Sequence, residues 1–380
     1  MKTLHSGSLN VNAGGPALSM SLTLKGLEAA GVTTVALSER MPPDGKVIDP
    51  SLAIRFTDRS RLGTFGYVSD INDCLRGEKD VDIYHIQGTW MYHGIAVSRH
   101  ARRMGKPYLV SPRGMLYPQA LAHHGLLKKI MMQLYQGRVL SGAACVQATC
   151  TEEMRHYRAL GFSNPVAVLP NPIDVRGILH REIPPKPIFQ VGYLGRLHPR
   201  KRVERLIYAF AGMRRELEGC RLVVIGGGND DYQRFLEAET RRLGLSNVKF
   251  TGFLTGDEKD AVLTELSLLV VPSDFENFGN IVTEALVRGV PVAASKGTPW
   301  RELETYHCGW WIDNDQSTID KTLADALALT ERERMEMGMN GKRLMQERYS
   351  VEVLGEKMKR LYEWILGGAR HGGKPEFVYE

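Results

Sequence analysis

Two acids, Glu276 and Glu284, stand close together in the stretch Asp274-Phe275-Glu276-Asn277-Phe278-Gly279-Asn280-Ile281-Val282-Thr283-Glu284-Ala285-Leu286, behind the apolar run Leu268-Leu269-Val270-Val271. The order of apolar run, polar loop and apolar helical repeat predicts a buried strand, a loop carrying Glu276 and a helix starting near Gly279. The first amides of a helix have no intrahelical partner and can hold a phosphate, which makes Phe278, Gly279, Asn280 and Ile281 candidate ligand contacts. Glu276 and Glu284 would flank that anion and accept hydrogen bonds from sugar hydroxyls. A phosphate beside sugar hydroxyls is what a nucleotide-sugar presents. Two acids at this spacing also occur on ordinary helical surfaces, so other positions have to decide.

Upstream, Val191-Gly192-Tyr193-Leu194-Gly195-Arg196-Leu197-His198-Pro199-Arg200-Lys201 reads as a strand ending in glycine, then a basic loop. Arg196 can grip phosphate oxygens through its planar fork, and Lys201 adds a compact charge. Together they would neutralise a diphosphate and stabilise it as it leaves. Near the N-terminus, Gly14 and Gly15 let backbone approach a ligand, and Pro16 suits the first helical position. Neither G-x-G-x-x-G nor a terminal Gly-Lys-Ser/Thr is present there, so an NAD or ATP site is poorly supported.

His85, in Tyr84-His85-Ile86-Gln87-Gly88, and Arg113, in Ser111-Pro112-Arg113-Gly114-Met115-Leu116, each fall near the end of an expected strand, where open α/β sheets bind ligands. His85 is a candidate catalytic group and Arg113 a candidate contact to an acceptor phosphate or donor sugar. Gly252, Phe253 and Leu254, with 225–229, follow two further strands and could read a nucleobase by backbone contact while Phe253 covers its face. The Asp-x-Asp pairs at 80–82 and 313–315 lie away from these motifs and read as chance. No His-Glu-x-x-His or paired-cysteine pattern occurs, so no metal and no cofactor are expected.

Parallel sheets must position these residues, because β-rich apolar runs alternate with helical patterns along the chain. Expected strands are 2–5, 33–37, 83–86, 108–111, 145–148 and 166–169, then 189–194, 222–225, 248–250, 268–271, 291–294 and 310–312. The fold class is therefore α/β, with two Rossmann-like domains facing a cleft. Clustered prolines at 170–172 and 184–187 place the hinge. The expected domains are 1–170 and 171–350, followed by a helix at 351–366 and a flexible tail at 367–380.

The chain has 380 residues, 43% of them hydrophobic, enough for two cores. Five cysteines without a C-x-x-C pair and no signal-peptide core at the N-terminus predict a reduced, cytoplasmic protein. No apolar run reaches the roughly 20 residues a membrane span needs. The formal charge of +6 lies wholly in the first half: residues 1–170 carry 19 Lys and Arg against 12 Asp and Glu, and residues 171–380 carry 30 against 31. A basic half suggests an anionic partner, and 124–135 mixes apolar positions with lysines as an interfacial helix would, or as one packed on a core would. Nucleic acid is not expected, since no zinc-finger, RRM or KH motif appears.

The stretch from Glu276 to Glu284 resembles the E-x7-E signature of retaining GT-B glycosyltransferases, the large family 4 group. Ser111 to Leu116 is similar to an element of the polysaccharide and lipopolysaccharide-assembly branch, and the resemblance spans residues 1 to 366. It implies diphosphate binding by Arg196 and Lys201, a Gly14-Gly15 loop near the donor phosphate and sugar, and nucleobase contacts from 252–254. It also implies that 351–366 crosses back to the first domain, that the donor is a nucleoside-diphosphate sugar, and that the acceptor is a glycan or polyprenyl-linked hydroxyl; peripheral contact with the inner face of an anionic membrane is expected from the basic half and 124–135. The chain departs from the family at Gln87, where relatives often carry a second histidine, and at Pro172, where glycine is usual. A nucleotide-sugar epimerase of similar shape and a non-catalytic basic binding protein are the alternatives.

Overall fold

The computed structural model describes residues 1–42, 45–61, 63–367 and 373–380. The chain divides into two units, Met1–Asp174 with Tyr349–Glu380, and Val175–Arg348. The strands of the first unit are β1 (Lys2–Ser6), β2 (Thr33–Glu39), β3 (Ile54–Thr57), β4 (Ile83–Gln87), β5 (Tyr108–Ser111), β6 (Cys145–Ala148) and β7 (Val166–Val168). Those of the second are β8 (Gln190–Leu194), β9 (Arg221–Ile225), β10 (Val248–Gly252), β11 (Leu268–Val271), β12 (Val292–Ser295) and β13 (Gly309–Ile312), and β14 (Val378–Tyr379) returns to the first.

The first sheet runs β14-β7-β6-β5-β4-β1-β2-β3 and the second β10-β9-β8-β11-β12-β13. Every pairing is parallel except β14 with β7. Strands β4, β5, β6, β11 and β12 are buried along their whole length, which explains the mainly apolar character of these strands, interrupted by the buried His85 and Gln87 in β4 and Gln147 in β6. In each sheet the strand order reverses at one point, between β1 and β4 in the first unit and between β8 and β11 in the second. Ligands of open α/β sheets bind outside the carboxyl ends of the strands at such points.

Three expectations need correction. β3 was not anticipated, because Ile54-Arg55-Phe56-Thr57, although apolar and polar residues alternate in it, is a four-residue edge strand with both central residues exposed. The segment 171–174 belongs to the first unit: Ile173 N–H donates to Tyr349 C=O at 2.8 Å, and Val351 N–H to Ile173 C=O at 3.1 Å. The tail expected to be flexible from 367 includes β14, where Phe377 and Val378 are buried against β7. Two apolar residues suffice there because the edge of β7 offers them ladder hydrogen bonds. Residues 368–372 of that tail lie outside the described residues.

The helix Val351–Gly367 packs on the helix Gly15–Ala29 at a pair of glycines. A Cβ on Gly26 would lie 2.5 Å from the Val351 carbonyl, and one on Gly355 would lie 2.1 Å from that of Gly26. Only glycine permits this approach. It brings the far end of the last helix, including Tyr362, under β1 and β4.

Candidate functional site

In the second unit the basic loop after β8 and the acidic loop after β11 meet at the switch point. Lys201 ends the short 3-10 turn Pro199–Lys201, and its ammonium contacts the Glu276 carboxylate, with both side chains largely buried. Ser273 Oγ also donates to Glu276 Oε1, at 2.8 Å. Burial pulls the pKa of Lys201 down, and the neighbouring Glu276 opposes that shift. The two loops are stitched further by Asp274 N–H to Arg200 C=O at 2.8 Å, by Arg202 Nε to both Asp274 oxygens, and by the Arg200 guanidinium lying 4.7 Å from the Phe275 ring centre. Arg196 is exposed, and among the described residues its guanidinium has no hydrogen-bond or ion-pair partner. His198 is pushed down by burial and then by the surrounding Arg200, Arg196 and Lys201 charges.

The glycine-rich loops after β8, β9 and β10 are tied to one another through their backbones. Gly195 N–H donates to Ile225 C=O, Leu197 N–H to Gly227 C=O, and Gly226 N–H to Gly252 C=O, all at 2.8 to 2.9 Å. A Cβ on Gly226 would fall 1.9 Å from the Gly195 carbonyl, so this approach admits no side chain. Beside it, the Phe253 ring is 69% exposed and Leu254 is partly buried.

The helix after the acidic loop is Asn280–Leu286, capped by Gly279 at φ 80°, with Asn280 and Ile281 partly buried. Glu284 is its fifth residue, and its carboxylate pairs with Lys259 Nζ at 2.6 Å. Phe278 differs from expectation. Its ring is buried and packs on Trp300 at 5.1 Å, and Trp300 Nε1 donates to its carbonyl at 2.5 Å, so it props the loop from below. Sequence reasoning missed Lys259, Ser273 and Trp300, none of which carries a local motif. Asp313 and Asp315 are indeed structural: Asp313 pairs with Lys296, and Asp315 caps the helix Gln316–Ala328 by accepting from Thr318 N–H at 2.9 Å.

In the first unit Gly14, at φ 65°, and Gly15 open the helix Gly15–Ala29 and are exposed, and Pro16 takes its second position rather than the first. His85 needs correction as a reacting group. It lies mid-strand in β4 and is fully buried, with Tyr362 Oη 2.7 Å from Nδ1 and Ser111 Oγ 2.6 Å from Nε2. Burial, then the neighbouring His5 and Arg113, hold it neutral far below the ordinary histidine pKa. Strand β4 runs two residues past His85, so the sheet end belongs to Gln87. Arg113, at φ 56° and partly buried, binds Gln87 Oε1 through Nε at 3.0 Å and Nη2 at 2.7 Å, and Asn171 through Nη1. Burial lowers its pKa to about 10, against the pull of Glu153.

Two family models match, a glycosyl transferase 4-like domain over residues 14–172 and the glycosyl transferases group 1 over residues 180–344. The chain belongs to the group 1 glycosyltransferases. Among relatives of this glycosyltransferase, a GDP-mannose-dependent alpha-(1-6)-phosphatidylinositol monomannoside mannosyltransferase of Mycobacterium tuberculosis is 31% identical over 178 residues, 43% of this chain and 45% of that one. The chain spans under half the length of the curated relatives it matches. The fold is that of HepE from Anabaena, solved with UDP and glucose (TM-score 0.71, 15% identity, 95% of this chain and 99% of that one). It is also that of WaaG, a glycosyltransferase involved in lipopolysaccharide biosynthesis (TM-score 0.65, 16% identity, 97% and 100%). These are GT-B enzymes, two parallel-sheet α/β domains. Among the described residues, no helix is long and apolar enough to cross a membrane.

Proposed function

We propose that this glycosyltransferase moves a hexose from a nucleoside-diphosphate sugar to a hydroxyl of a glycan or lipid-linked acceptor, with retention, in the building of cell-surface polysaccharide. The observation that carries this reading is the pairing of Lys201 with Glu276 at the switch point of the second sheet, with the Arg196 charge, unpaired among the described residues, near Lys201 on the same loop. Arg196 and Lys201 take the diphosphate oxygens. As phosphate replaces Glu276 on Lys201, the carboxylate turns to the hydroxyls of the donor sugar. The bond from the anomeric carbon to phosphate oxygen then breaks, the acceptor oxygen bonds on the same face, and its proton passes to the departing phosphate. No separate protein base is required. Cationic side chains face the developing charge, so the transfer is read as metal-independent and should persist in EDTA.

Glu284 would hold the ribose with Lys259 beside it, and Phe253 would cover the base while the backbone of 252–254 reads its edge. In the first unit, taken by itself, Gly14, Gly15 and Arg113 are the candidate substrate contacts. A thermal-shift panel of UDP, GDP, ADP and their sugars tests the reading. The true donor should stabilise by about 2.7 kcal/mol at a hundred times its Kd, and no response to any member would contradict the proposal. Donor consumption without acceptor, leaving an altered sugar, would favour an epimerase instead.

An anionic bilayer is the further partner in this reading, at the inner face of the cell membrane. Leu126 and Leu134 are 76% and 68% exposed, Leu127 and Ile130 are also exposed, and Lys129 sits among them. Such a face suits a lipid interface. Wild type should float with phosphatidylglycerol-containing vesicles and not with phosphatidylcholine alone, and L126E/L134E should abolish flotation. Absence of flotation by wild type would remove the membrane from the account.

A further inference from the structure

We propose that Tyr362, His5 and His85 form a one-way chain of hydrogen bonds that positions the Arg113 guanidinium. The chain starts at Arg113, which has donors only. Because Nε and Nη2 both point at Gln87, that side chain must present its oxygen to them and its NH2 to the other side. Gln87 Nε2 faces His5 Nδ1 at 3.4 Å, so Nδ1 must be the acceptor and the His5 proton must sit on Nε2. Nε2 donates to Tyr362 Oη at 3.1 Å, leaving the Tyr362 hydroxyl proton for His85 Nδ1 at 2.7 Å. His85 therefore also carries its proton on Nε2, which donates to Ser111 Oγ at 2.6 Å. Ser111 in turn donates to Gln147 Oε1 at 2.6 Å, and Gln147 Nε2 to the Leu169 carbonyl at 3.0 Å.

Every direction in this chain follows from the first. An imidazolium at His85 would turn a second donor toward the Tyr362 oxygen and strand the hydroxyl proton. Bonds aligned head to tail polarise one another, which stiffens the whole. Tyr362 is the link that no strand supplies. It arrives on the last helix, whose docking at Gly26 and Gly355 fixes its height beneath β1 and β4. Tyr362, His5 and His85 thus act through Gln87 on Arg113 and are positioning residues. That Arg113 serves substrate rests on the function proposed above, whereas the bond directions do not.

Nitrogen-15 spectra of the full chain at neutral pH should show His5 and His85 neutral with the proton on Nε2. An Nδ1-protonated ring or an imidazolium at either position would overturn the proposal. Y362F keeps the ring and cuts the chain. It should speed exchange of the Arg113 Nε–H and lower kcat for transfer, each on the order of tenfold, with donor KM within about twofold. Unchanged Arg113 exchange would overturn the chain, and faster exchange with unchanged kcat would overturn the positioning role. If Y362F does not fold, S111A serves: the directions set from Arg113 should still hold the His85 proton on Nε2, and a mixture of tautomers would count against the proposal. Should wild type transfer from no donor, the functional reading fails, while the tautomers and the exchange rate still decide the chain.

Discussion

The two switch points carry opposite kinds of polar chemistry. At the first, between β1 and β4, His5, His85, Ser111 and Gln147 are buried and bonded to one another, and burial keeps the rings neutral. At the second, between β8 and β11, the largely buried Lys201 and Glu276 pair as charged groups, and Arg196 beside them reaches solvent without a protein partner among the described residues. The same topology thus serves once to hold and once to offer. Burial of a polar group costs free energy unless it is bonded, so a satisfied interior network specifies shape, while an exposed unpartnered cation is left for a ligand.

Removing one partner of the buried pair should break the second site hardest. K201M leaves Glu276 with a buried, uncompensated charge and should lower stability by about 3 kcal/mol in urea titration and abolish nucleotide binding. H85A should cost roughly 2 kcal/mol, because it strands the Tyr362 and Ser111 hydroxyls, yet leave nucleotide affinity in the second unit unchanged by calorimetry. A loss of affinity would erase the distinction between the two sites.

Acid should separate them further. His5, held to about 3, and His85 have folded pKa values below their unfolded ones, so below about pH 6.5 the unfolded chain binds protons that the fold refuses. Stability is fully present above that pH and falls with acid by roughly 1.4 kcal/mol per pH unit for each ring. Unfolding followed between pH 7 and pH 5 should show the first unit weakening before the second. The smallest change in stability is expected for R196A, within about 0.5 kcal/mol, while donor KM rises on the order of tenfold from loss of a charge-assisted contact.

Much of this arrangement is legible in the sequence because strands buried on both faces announce themselves as apolar runs. All six strands expected in the second unit are present, and the Glu276 and Lys201 loops fall where those runs end. What escaped were edges and long-range partners. Arg55 and Phe56 in β3 and the short Val378–Tyr379 are strands only because a neighbour offers hydrogen bonds. Lys259, Trp300 and Tyr362 join their sites from elements remote in the chain, and nothing in their own neighbourhoods marks them. His85 misled for a related reason: its strand continues to Gln87, which turns a residue expected at the rim into one of the core.

The central claim, that Glu276 orients the donor sugar while Lys201 and Arg196 hold its diphosphate, is tested most directly by E276Q. The amide keeps the size of the side chain and removes the charge. Turnover at saturating donor should fall about a hundredfold, with the nucleoside diphosphate Kd within about threefold of wild type. Turnover equal to wild type, or a lost affinity for the nucleotide alone, would contradict the account.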